Sequence, residues 1–179
     1  MILARTLIDG TGTAQLDDPA IVVEGSKITV VGRRTEIALP DGAQVTTLEY
    51  PEGCLLPGLV DVHTHTIFSA ASKNYEEDIE RDTDEVLILR AARNAHTHIK
   101  AGVTTIRDNG ARNKVTFNLR NAAEMGLVTT PRLLLCGRPV TVTGGHFWWC
   151  NEEADGVDGV RKAVRRLIKD GADHIKIMA

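Results

Sequence analysis

Short apolar runs broken by turn residues fill the first fifty-odd positions, and longer runs with apolar residues at helical spacing follow. Ile2 to Ile8, Ala20 to Glu24, Lys27 to Val31 and Gln44 to Glu49 are separated by Asp9-Gly10, Thr11-Gly12 and Gly25-Ser26. Such bounded β-branched stretches predict strands. Gly25-Ser26 has the length of a two-residue hairpin, with Gly25 supplying the positive φ of a II′ turn. Pro51 and Pro57-Gly58 close this small β unit.

Beyond it the rhythm becomes strand, loop, helix, strand. Leu55 to Thr66 opens as a buried-type strand. Asp84 to Lys100 reads as a helix with Val86, Leu89, Ala92, Ala95 and Ile99 inward, ending at Gly102 before the strand Val103 to Ile106. Lys114 to Glu124 is a second helix ending at Gly126 before the strand Arg132 to Cys136. A third, capped by Asp158 with Val160, Ala163, Val164, Leu167 and Ile168 inward, ends at Gly171 before the strand Asp173 to Met178. Repeated helix-Gly-strand junctions predict βα units. A closed (β/α)8 barrel takes about 250 residues, so four strands and three helices over residues 58–179 amount to the N-terminal half of a TIM barrel. A doubly wound sheet of this size would carry a glycine-rich phosphate loop where His-Thr-His-Thr stands. The expected fold class is therefore α/β, with 1–57 as a small β domain and 58–179 as the half-barrel.

Composition narrows the function classes. The formal net charge is -3 with signs interspersed, which excludes a nucleic-acid groove or a polybasic membrane patch. The densest basic stretch, Arg161 to Lys169, falls on the polar side of the third helix and reads as a solvated face. No run approaches the roughly 20 apolar residues of a membrane span and no export leader is evident. Three cysteines, Cys54, Cys136 and Cys150, suit a reducing compartment, so the cytoplasm is expected.

The chemistry concentrates at His63 and His65. On a strand, alternate side chains share a face, so these imidazoles stand about 7 Å apart along the chain, within reach of one divalent ion. The competing account is a pair of hydrogen-bonded core histidines. His96 and His98 have the same spacing, but helical residues two apart diverge and cannot chelate together. Asp61 shares the face of His63 under strict alternation, either orienting an imidazole or serving as a turn partner. Arg107 and Asp108 end a strand where barrel sites gather, or form a mutual ion pair. Trp148 and Trp149 are either a pocket wall or helix packing, and the acidic stretch Glu152-Glu153-Ala154-Asp155 reads as solvated.

Pro57-Gly58-Leu59-Val60-Asp61-Val62-His63-Thr64-His65 resembles the amidohydrolase superfamily, metal-dependent hydrolases on a (β/α)8 barrel. Gly102-Val103-Thr104-Thr105-Ile106-Arg107-Asp108, Thr143-Gly144-Gly145-His146 and Gly171 to Ala179 resemble its imidazolonepropionase-like and Xaa-Pro dipeptidase-like branch. The leading unit looks like part of the small β-sandwich that many members carry. The resemblance implies that His63 and His65 ligate the more buried of two metals, expected to be zinc. It also implies that Lys176, carboxylated by carbon dioxide, bridges them, and that His146 lies near a small-molecule substrate. Carboxylation requires a neutral amine, which burial and nearby cationic charge favour. Lys176 read without the resemblance is a lysine near a strand end, and His174 shares its face as an interior polar residue.

The family pattern also needs two more histidines and a general-base aspartate from later strands, so catalysis requires the remaining half of the barrel, from the same gene or a second chain. Homo-oligomerisation is expected. The expected activity is hydrolysis of a C–N bond in an amide, cyclic amide, dipeptide or carbamate-like group. A non-catalytic metal- or partner-binding half-barrel and a mononuclear deaminase-like enzyme, with Lys176 unmodified, are the alternatives.

Overall fold

The computed structural model describes residues 1–69 and 74–178, the side chain of Tyr75 apart. They fall into two compact units, Met1–Pro57 and Gly58–Ala179.

The first unit is a five-stranded sheet of β1 (Ile2–Leu7), β2 (Leu16–Asp17), β3 (Pro19–Glu24), β4 (Lys27–Arg33) and β5 (Leu48–Leu55). β1 runs through its middle, antiparallel to β2 and β3 on one side and parallel to β5 on the other, and β4 lies outside β3. Leu3, Ala4, Leu7, Ala20, Ile21 and Val22 are its buried hydrophobic core. The β3–β4 hairpin closes at Glu24↔Lys27 with Gly25 at φ 61°. The last strand departs from expectation: it starts at Leu48 and runs through Pro51. A proline fits there because, among the described residues, β5 pairs only with β1, and its register shifts in this stretch.

The second unit contains β6 (Leu59–Thr64), α1 (Tyr75–Arg81), α2 (Asp84–Lys100), β7 (Val103–Asp108), α3 (Val115–Glu124), β8 (Arg132–Leu135), β9 (Val140–Thr141), β10 (Glu152–Glu153) and α4 (Gly156–Asp170). β6, β7 and β8 form a parallel sheet in that order, and β9 pairs with β10. Gly58 permits the close approach of β6 to β7, since a Cβ there would lie 2.0 Å from Thr104 Oγ1. Leu87, Ala91 and Ala95 of α2 and Val115, Phe117 and Leu119 of α3 pack with Ile106, Leu133 and Leu135 of the sheet. Each fully buried Leu or Ile among them contributes about 1.5–3 kcal/mol. The buried face of α2 is offset from the expected one, leaving Val86 and Leu89 exposed.

Two further expectations are corrected. α4 begins before Asp158, because Asp155 precedes the first turn, and the Asp155 side chain is bonded to Thr143 instead of capping the helix. Asp173 to Met178 is not a regular strand. It bonds first to β8, through Asp173 N–H to the Leu135 carbonyl, and then to β9, through Val140 N–H to the Lys176 carbonyl and Met178 N–H to the Val140 carbonyl. Only the bridge Val140↔Ile177 results. Gly137-Arg138-Pro139 separates β8 from β9, and Pro139 has no N–H to give, so the ladder cannot run through. Among the described residues, no helix is long and apolar enough to cross a membrane.

Candidate metal centre

His63 and His65 stand side by side at the end of β6, with ring centroids 5.6 Å apart and planes tilted by 53°. Two imidazoles bound tetrahedrally to one zinc at about 2.0–2.1 Å put their centroids roughly 5 Å apart, so the pair suits a shared ion with little adjustment. Alternation is broken just upstream of the pair. Asp61 pairs with Ile106 and Thr64 with Asp108, three steps on β6 against two on β7. That extra residue is a bulge, a device that re-aims side chains near functional sites.

The Asp61 carboxylate is engaged by other groups. One Asp61 oxygen accepts the His63 backbone N–H at 3.0 Å, and the other lies 3.6 Å from Nε2 of His98 on α2. Asp61 is thus a turn partner and a contact of His98. His98 in turn places Nδ1 2.9 Å from the Asn94 carbonyl.

His65 is held on several sides. Its Nδ1 lies 2.9 Å from the Gly110 carbonyl, which can only accept, so in the neutral ring Nδ1 carries the proton and Nε2 keeps its lone pair. Phe68 stacks on its face at 4.6 Å with a 7° tilt, and Phe147 sits 6.3 Å away. The strand end is fixed by Asp108, which accepts Thr66 N–H and Oγ1–H on one oxygen and Gly110 N–H on the other. Burial pushes the Asp108 carboxyl above the ordinary carboxylate range, opposed by these bonds and by His65. Asp108 is fully buried and Arg107 exposed, so alternation separates the two instead of pairing them.

A sequence model of the amidohydrolase family matches residues 54–179, well over half of the chain. The chain belongs to that family. Among curated relatives, this amidohydrolase chain is 27% identical over 128 residues to the imidazolonepropionase of Idiomarina loihiensis, covering 59% of itself and 31% of that protein. It is 42% identical over 53 residues to one from Pseudomonas fluorescens, covering 30% and 13%. Among solved structures it superposes on a Xaa-Pro dipeptidase with bound methionine in the active site at TM-score 0.82 and 30% identity, covering 98% of itself and 46% of that chain. The Aspergillus niger ochratoxinase gives 0.80 and 26%, covering 99% and 45%. The amidohydrolase chain therefore spans less than half the length of these relatives. It is a mixed α/β protein similar throughout to amidohydrolase structures.

The other expected site residues of this amidohydrolase lie on neighbouring elements. Lys176 is half-buried, its carbonyl bonded to Val140, and its charge acts on both His174 and Cys136. His174 places Nε2 3.3 Å from Oδ1 of Asn109, whose amide donates to the Val62 and Arg107 carbonyls. Burial, then Arg107 and Lys176, push the His174 imidazole below its ordinary range. His146 is exposed on the loop after β9, its ring 5.6 Å from that of Phe147. Among the described residues, no cluster of three or more His, Cys, Asp or Glu side chains is arranged to hold a metal ion.

The acidic stretch is not merely solvated. Glu153 accepts Gly144 N–H at 2.6 Å, Asp155 accepts both the N–H and the hydroxyl of Thr143, and Glu152 is paired with Arg138 and Arg166. These bonds clamp the Thr143-Gly144-Gly145-His146 loop. Trp149 packs 4.5 Å from Phe147, while Trp148 is exposed. Asp108 was a candidate only by its place at a strand end, and Asn109 and Gly110 carry no sequence signal separating them from a turn. Their burial distinguishes them.

Proposed function

We propose that the full-length protein hydrolyses a C–N bond at a divalent-metal centre of which this chain supplies His63, His65 and Lys176, and that residues 58–179 are the first part of its (β/α)8 barrel, preceded by part of a small β-sandwich. The observation that carries this is the adjacent imidazole pair, with the Nδ1 proton of His65 committed to Gly110. Family membership and the likeness to imidazolonepropionases and a Xaa-Pro dipeptidase support the C–N chemistry. Further ligands and the general-base aspartate come from strands beyond Ala179.

A divalent metal, when bound, supplies a Lewis acid for the carbonyl and lowers the pKa of a water. His63 and His65 hold it through neutral nitrogens. Lys176 serves once its neutral amine has formed a bond to the carbon of carbon dioxide and released a proton, which converts a cation into an anionic oxygen donor. His146, on its clamped loop, faces the substrate. The substrate is a small amide, cyclic amide, dipeptide or carbamate, and the three free thiols suit the cytoplasm.

Metal analysis of the full-length protein tests this. Two divalent ions per chain are expected, with His63→Ala or His65→Ala losing at least one and Lys176→Ala losing a carbon-dioxide adduct seen by native mass spectrometry. Hydrolysis is to be assayed on Xaa-Pro dipeptides, N-acyl amino acids, cyclic amides and carbamates. Full metal content in both histidine variants, or a metal-loaded protein inert on the whole panel, overturns the proposal.

A further inference from the structure

We infer that Asp108 is a positioning residue for the metal centre, holding His65 in its ligating tautomer and orientation through Thr66 and Gly110. This rests on the metal-binding function proposed above for His65. Asp108 is the one charged side chain that is fully buried among the described residues. It takes part in no ion pair among them. A buried carboxylate without a cation is costly, and a strand end can be stapled by a neutral amide or hydroxyl instead.

Each of its bonds bears on His65. The Thr66 N–H, donated at 2.8 Å, belongs to the peptide that follows His65, and the Thr66 hydroxyl reinforces it at 2.7 Å. The Gly110 N–H, donated at 3.0 Å, fixes one side of the residue whose carbonyl receives His65 Nδ1. The other side is fixed by Ala111 N–H bonding the Gly137 carbonyl at 2.9 Å. Gly110 has φ 150°, and a Cβ there would lie 2.7 Å from Pro139, so the peptide is held where only glycine fits. The carboxylate therefore locks both the backbone that carries the imidazole and the acceptor that sets its tautomer. Its negative charge also favours a cation at the ring's far nitrogen.

The test compares wild type, Asp108→Asn, Thr66→Val and His65→Asn in the full-length protein, reading zinc affinity by chelator competition, thermal stability, and the His65 tautomer of the metal-free protein by 15N NMR. Asp108→Asn keeps the shape but removes the charge and turns an NH2 toward one of the donors. The expected result is zinc binding weakened about 10–100-fold, the range for groups that orient metal ligands, with a mixed His65 tautomer and a melting transition close to wild type. Binding within twofold of wild type with the Nδ1–H tautomer intact overturns the inference. Should Asp108→Asn fail to fold, Thr66→Val decides: zinc binding weakened severalfold supports the inference, and unchanged binding overturns it. If wild type binds no zinc, or His65→Asn binds as wild type does, the proposed function falls and the inference with it. If His65→Asn alone loses zinc, only the inference falls.

Discussion

A histidine that is to hold a cation must keep one ring nitrogen bare, and the neutral His65 ring does so because its Nδ1–H donates to a carbonyl. Two cysteines of the same unit, Cys136 and Cys150, show the opposite use of burial. Enclosure pushes the Cys136 thiol, and likewise that of Cys150, up to about 12, whereas Cys54 is exposed. A buried thiol with so high a pKa stays protonated at neutral pH and does not attack electrophiles. Iodoacetamide treatment of the native protein at pH 8 is therefore expected to label Cys54 alone, with Cys136 and Cys150 reacting only after denaturation, as read by peptide mass spectrometry. Native labelling of either buried cysteine at the rate of Cys54 contradicts this.

At the scale of elements, local periodicity was sufficient wherever one period held throughout. β1, β3, β4 and the helical spans of α2 and α3 are legible because their apolar spacing is uninterrupted. β5 was misplaced because proline reads as a breaker unless the strand is known to lie at an edge, which is tertiary information. Alternation left Asp61 either orienting an imidazole or serving as a turn partner, because it cannot foresee a bulge, and the structure has the turn partner. The adjacency of His63 and His65 was nonetheless legible, since two strand positions two apart converge in most local geometries. Phe147 was invisible as a strained residue: φ is 65°, a left-handed conformation, with its ring buried among Phe68, His65, His146 and Trp149. Removing the ring costs about 3–5 kcal/mol, while glycine relieves about 1–2 kcal/mol of backbone strain that alanine retains. Phe147→Gly is therefore expected to be less stable than wild type by about 2 kcal/mol and more stable than Phe147→Ala by about 1 kcal/mol. Urea unfolding checks this, and a Gly variant below the Ala variant refutes the strain assignment.

On the scale of the whole molecule, the second unit leaves its parallel sheet open at β6. Among the described residues that strand pairs only with β7, and Leu59, Val60 and Val62 along it are 55%, 59% and 61% exposed. Parallel sheets are found with both faces covered, and an uncovered apolar edge strand is a template for association. The chain also spans less than half of the solved relatives it matches, so the remaining barrel strands are the proposed cover. Residues 1–179 produced alone are expected to associate in size-exclusion chromatography with light scattering and to enhance the fluorescence of an apolar dye. The full-length protein should run as one discrete species that leaves the dye dark. Replacing Val60 and Val62 with lysine separates the causes. In the 1–179 chain the charges should suppress association by blunting the open edge and face, whereas in the full-length protein they should destabilise a surface that is covered. A 1–179 chain that is monomeric and dark with the dye would mean that these valines are stable against water, and that β6 is an outer strand with no further strand to receive.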